Sequence, residues 1–137
     1  MEYFCNIEKG DFVRAGKASS DVKKILKQLD INPNIIKRIV VALFEAEINV
    51  VAHAEKGSVY ANIDNEKIRI TIQDEGPGIP DVELAMQEGF STASQKVREM
   101  GFGAGMGLPN IKKNTDEFHI ETKIGEGSKL ELLVFLQ

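Results

Sequence analysis

The sequence predicts an α/β fold: a two-layer sandwich whose mixed, mostly antiparallel sheet is covered on one face by helices. Two observations carry that expectation. Stretches near residues 59–72 and 118–134 alternate apolar and polar side chains with a period of two, and each breaks once at a turn, as a hairpin does. Two other stretches repeat apolar residues at helical spacing, and a sheet with one apolar face needs such a cover. No linker, repeat or low-complexity tract divides the chain, so residues 1–137 read as a single domain.

Taken in order, Tyr3, Cys5 and Ile7 alternate with polar neighbours and suggest a short strand. From Asp11 to Leu29, Phe12, Ala15, Val22, Ile25, Leu26 and Leu29 recur at helical spacing. Asn32-Pro33 then reads as an N-cap followed by proline in the first turn, opening a long helix to about Ala54. Its apolar stripe is Ile36, Ile39, Val40, Leu43, Ala46 and Val50. After Gly57 the period becomes twofold: Val59, Ala61 and Ile63, a turn at Asp64-Asn65, then Ile68, Ile70 and Ile72. The second hairpin places Phe118, Ile120 and Ile124 before the Gly125-Glu126-Gly127 turn, and Leu130, Leu132 and Val134 after it. Residues 74–107 between the hairpins are glycine-rich, and a loop of that length in a compact domain is usually functional or mobile. A short helix from Leu108-Pro109 through about Thr115 follows.

The chain has 137 residues, 42% hydrophobic and 28% charged, enough to close a core. Its formal charge of −4 argues against nucleic-acid partners, which are held by clustered Lys and Arg. It does not argue against a nucleotide, because glycine loops and a metal ion supply local attraction. The lone Cys5 has no disulfide or metal-site spacing and reads as a small apolar strand residue. No secretory signal opens the chain, and the longest apolar stretch, Ile35 to Ala54, is interrupted by Lys37, Arg38, Glu45, Glu47 and Asn49. The expectation is a cytoplasmic protein without a membrane partner.

Three features carry chemistry. On the long helix, Glu45 and Asn49 are four residues apart and project from one face, about 5–6 Å apart at Cβ, with His53 one turn on. The pair reads either as a solvated polar stripe or as groups in need of partners, since Ala42, Ala46, Ile48 and Val50 surround it. A divalent cation on Asn49 and a water or hydroxyl on Glu45 would satisfy the second reading. The alternation Ile68, Ile70, Ile72 continues to Asp74, placing that carboxylate on the apolar side. Asp74-Glu75-Gly76-Pro77-Gly78 is equally a turn sequence, so Asp74 is open to a turn role or to accepting hydrogen bonds from a ligand such as an adenine amino group. Lastly, Gly101, Gly103, Gly105 and Gly107 let backbone approach a ligand closely before the helix at Leu108, whose first N–H groups suit phosphate. This run is neither a P-loop nor a dinucleotide fingerprint.

In this order, Glu45-Ala46-Glu47-Ile48-Asn49, Asp74-x-Gly76-x-Gly78 and the glycine run before a helix resemble the ATP-binding superfamily of gyrase, the Hsp90 chaperone, histidine kinases and the mismatch-repair ATPase. Within it the chain resembles the small serine kinases and anti-sigma factors of bacterial partner switching. Gly89-Phe90-Ser91-Thr92 and the stretch from Gly103 through Asp116-Glu117-Phe118 look most like the stress-signalling switch kinase. The resemblance implies a Bergerat-type fold, ATP and Mg²⁺ as cofactors, and a kinase that phosphorylates Ser or Thr of an antagonist-type protein. It implies Glu45 as general base and Asn49 as the Mg²⁺ ligand. Asp74, Gly76, Gly78 and Ile79 would lie around the adenine, with Gly103, Gly105, Met106, Gly107 and Leu108 in and beside the phosphate-facing lid. Ser128, where the family usually has Thr, would also lie near the adenine.

The stretch from Ala93 to Met100 departs from the family by being longer than the switch kinase's lid. Ser91 and Thr92 would shape that lid, and Lys96 and Arg98 read equally as γ-phosphate contacts or as solvated charges. Rival readings are a nucleotide-gated anti-sigma factor, a histidine-kinase ATPase domain, for which 137 residues leave no room for a substrate-histidine helix, and a non-hydrolysing ATP sensor. A sigma factor, a phosphatase or a second copy of the chain stand as further partners under these readings.

Overall fold

A computed structural model of the chain describes residues 1–10, 13–78 and 107–137. It contains strands β1 (Glu2–Glu8), β2 (Lys56–Ile63), β3 (Lys67–Glu75), β4 (Glu117–Lys123) and β5 (Gly127–Phe135). The helices are α1 (Lys17–Gln28), α2 (Pro33–His53) and α3 (Gly107–Lys113). The strands form one sheet in the order β1-β2-β3-β5-β4, and every pairing is antiparallel among the described residues. The two expected hairpins are β2–β3 and β4–β5, and they meet along β3 and β5.

Twofold alternation drives the layering. Val59, Ala61, Ile63, Ile68, Ile70, Ile72, Leu130, Leu132 and Val134 point one way and are buried, leaving the polar alternates to solvent. Each such Val, Ile or Leu gains roughly 1.5–3 kcal/mol by leaving water, which fixes strand register because a one-residue slip would expose the whole set. The cover is centred on α2, which packs against β1, β2 and β3 and carries α1 and α3 beside it. Asn32 Oδ1 accepts the Asn34 N–H at 2.8 Å with Pro33 at the first helical position, the expected cap. At the β2–β3 turn, Asp64 Oδ1 accepts the N–H groups of Glu66 and Lys67 at 2.8 and 2.9 Å.

Four expectations are corrected. The first helix begins at Lys17 rather than Asp11, because Gly16 adopts a left-handed backbone (φ 92°) that ends any helical path into it. Its buried face is Ala18, Ser19, Val22 and Leu26, whereas Leu29 is exposed past the last turn. Ile124 falls after β4, in the turn, and is 71% exposed rather than on the apolar face. The third helix starts at Gly107 and stops at Lys113, two residues short of Thr115. Expectations for Asp11, Phe12, Ile79, Gly101, Gly103, Gly105 and Met106, and for the 89–100 stretch with Ser91, Thr92, Lys96 and Arg98, lie outside the described residues. Among the described residues no helix is long and apolar enough to cross a membrane.

Candidate functional site

Two faces of α2 matter. Glu45, Asn49 and His53 form one half-buried row down the helix, as their spacing requires. Glu45 Oε1 accepts a hydrogen bond from Asn110 Nδ2 of α3 at 3.3 Å. The Asn49 amide makes no hydrogen bond among the described residues, so the next turn offers a carbonyl oxygen and an amide to a ligand. One turn further, burial holds the His53 imidazole below its ordinary range.

Asp74 lies at the end of β3 on the inner face, half-buried, as the isoleucine alternation requires. In register with it across four strands stand Gly57, Ser128 and Thr122. Asp74 Oδ1 accepts the Ser128 N–H at 3.1 Å, and the Ser128 and Thr122 hydroxyls lie 3.1 Å apart. Burial pushes the Asp74 carboxyl up and the Ser128 N–H draws it back, so the ionised form calls for further donors. Its second oxygen has no partner among the described residues.

Glycines let the backbones close around this row. A Cβ on Gly57 would stand 2.7 Å from Val50 Cγ1, so the turn of α2 that carries Asn49 rests directly on the Asp74 row. At Gly127 (φ 139°) a Cβ would collide with the Asp74 carbonyl. Gly76 passes against Ala54, with a would-be Cβ 3.0 Å from its Cα, and Gly78 (φ 77°) runs over the Lys123 carbonyl. The chain leaving Asp74 is thereby pinned between the end of α2 and the β4–β5 turn, where Gly76 N–H donates to Glu126 O and Gly125 N–H to Pro77 O. Of the remaining site residues, Gly107 opens α3, and Leu108 is buried in the core and anchors that helix. The structure thus sets Asp74, Ser128, Gly76 and Gly78 at the end of the sheet by the C-terminal end of α2, where Gly76 meets Ala54, and Glu45 and Asn49 on one row of that helix, with α3 bonded to Glu45.

Sequence reasoning missed three residues here. Glu47 is 2% exposed, and its carboxylate accepts the N–H groups of Ala18 and Ser19 at 3.2 and 2.7 Å. It therefore caps α1, whose own N-cap, Gly16, has no side chain to do so. Burial pushes its carboxyl up and those N–H bonds counter it. A glutamate four residues after Leu43 and three before Val50, on the buried stripe, was the available signal. Gly57 was noted only as a boundary, and Asn110 follows the glycine run with no periodic pattern to mark it.

The sequence profile described as the histidine kinase-like ATPase domain matches residues 11–133. The serine/threonine-protein kinase RsbT of Bacillus subtilis is 31% identical over 119 residues, covering 84% of each chain. An anti-sigma F factor of Caldanaerobacter subterraneus is 33% identical over 124 residues, covering 87% of this chain and 83% of its own. Two solved structures share the fold at low identity. The RsbU and RsbW domains of a Mycobacterium tuberculosis protein superpose with a TM-score of 0.62 at 16% identity, over 96% of this chain and 32% of theirs. The mycobacterial sensor histidine kinase MprB gives 0.57 at 15%, over 98% of this chain and 97% of its own. The chain belongs to the histidine kinase-like ATPase domain family, a family of ATP-binding domains.

Proposed function

We propose that this chain is an ATP-dependent protein serine/threonine kinase of a partner-switching pathway, phosphorylating a Ser or Thr of an antagonist-type protein in the cytoplasm. The observation that carries the reading is Glu45: an accessible carboxylate one helical turn before Asn49, steadied from one side by Asn110. Its similarity to a protein named as a serine/threonine kinase supports the same reading.

In the reaction, the acceptor hydroxyl oxygen bonds to the γ-phosphorus while the bond to the β–γ bridging oxygen breaks. ADP leaves with that electron pair, and Glu45 takes the hydroxyl proton, an effect of roughly 10²–10⁴-fold. Asp74 accepts from the adenine amino group through the oxygen that Ser128 leaves open. Gly76 and Gly78 keep the surrounding backbone close, and Ser128 and Thr122 fix the carboxylate's floor. The Asn49 side-chain oxygen, which has no partner among the described residues, would hold Mg²⁺, and the ion would supply neutralisation of the phosphate charge.

The deciding experiment incubates the purified chain with γ-labelled Mg-ATP and an antagonist-type protein. Label on Ser or Thr that disappears in Glu45→Ala is the expected result; no label, and no effect of Glu45→Ala on ATP turnover, would sink the reading. The match to anti-sigma F factors favours a second activity, nucleotide-dependent sequestration of a sigma factor. Capture of a sigma factor that dephosphorylated antagonist releases would establish it.

A further inference from the structure

We infer that Asn110 is a positioning residue for phosphoryl transfer: its side-chain amide holds the Glu45 carboxylate in the orientation that receives the acceptor's proton. The inference deepens the kinase reading and rests on it. Asn110 Nδ2 lies 3.3 Å from Glu45 Oε1, the one hydrogen bond to that carboxylate among the described residues. A glutamate side chain on a helix face otherwise samples several rotamers, and reaction requires a near-attack geometry that a displacement of about 1 Å degrades severely.

The donor is itself held firmly. Its neighbour Ile111 is fully buried and Leu108 nearly so, which locks α3 onto α2, and the Asn110 carbonyl accepts Asn114 Nδ2 at 2.8 Å. Asn110 is only half-buried, and no structural hydrogen bond other than the one to Glu45 uses its side chain among the described residues. An amide also suits this task better than a cation. It donates to Oε1 without neutralising the carboxylate, so Oε2 stays available as a base. Asn110 lies in the first turn of α3, so whatever sets that helix against α2 also sets the aim of Glu45.

The test compares the wild-type chain with Asn110→Leu, Asn110→Gln and Glu45→Gln. ADP formation from Mg-ATP is followed with and without an acceptor protein, alongside ATP binding and thermal melting. Asn110→Leu is expected to lower kcat about tenfold or more, with KM for ATP and melting unchanged. Asn110→Gln, which keeps the donor, should recover part of the loss. A readout independent of turnover is the Asn110 side-chain amide in a ¹H–¹⁵N spectrum, identified by its absence from Asn110→Leu and expected to move in Glu45→Gln. An amide that stays in place, or a kcat in Asn110→Leu equal to wild type while Glu45→Gln is inactive, overturns this inference and leaves the kinase reading standing. Full activity in Glu45→Gln removes both.

Discussion

Glu45 and Glu47 stand two residues apart on α2, roughly 200° around its axis. Glu47 faces α1, is 2% exposed, and has its oxygens taken by two backbone N–H groups. Glu45 faces the opposite way, is half-buried, and meets one side-chain donor. Both carboxylates arise from the same Glu-Ala-Glu, yet one closes a helix end and the other is left with capacity to spare. Spare capacity in a partly desolvated position is what chemistry needs; saturated capacity is what a fold needs.

The comparison breaks if the two residues exchange roles on substitution. Glu45→Gln should lower phosphoryl transfer about 10²–10⁴-fold with little change in melting, while Glu47→Gln should keep transfer within a few-fold; labelled-phosphate assays and melts on both variants decide this. Next in size, Glu47→Ala should cost about 2–3 kcal/mol in urea denaturation, because it orphans the Ala18 and Ser19 N–H groups and leaves a void. A stable Glu47→Ala would mean α1 does not depend on its cap.

The Asp74 row sharpens the same contrast. Asp74→Asn should weaken ATP binding about tenfold in calorimetry and erase preference over GTP. It should not lower stability at neutral pH. The folded carboxyl is raised by burial, so its contribution to stability is present below the ordinary value near 3.8 and lost as pH rises through the folded value. Smallest is His53. Its folded value lies below the ordinary 6.5, so the stability it confers is present above about 6.5 and lost as pH falls through the folded value. His53→Gln should flatten denaturation midpoints between pH 7 and 5 relative to wild type.

These differences mark how far the sequence could be read. The strands were legible because Val59 to Ile72 and Leu130 to Val134 alternate against one buried face, and α2 because Asn32-Pro33 announces its start. Its site face was legible from spacing alone, since four residues is one helical turn wherever the helix lies. The start of α1 was not, because periodicity carries no trace of the positive φ at Gly16. Nor were the partners of Glu47, 28 and 29 residues away along the chain, and of Asn110, 65 away. Local pattern identifies which side chains need a partner; only the tertiary fold says which one they find.

The seam between the hairpins bears on how the molecule comes to exist. The β2–β3 and β4–β5 hairpins are local and can form early, but β3 meets β5 only after closing a loop that runs from Glu75 to Gly127. The Asp74–Ser128 bond is at the closing end of that seam, and β1 must also travel to Lys56–Ile63 before the sheet is complete. Nucleotide affinity at Asp74 therefore depends on a long-range pairing that neither hairpin supplies alone. Added to refolding chains, ATP should select finished molecules without accelerating the steps before them.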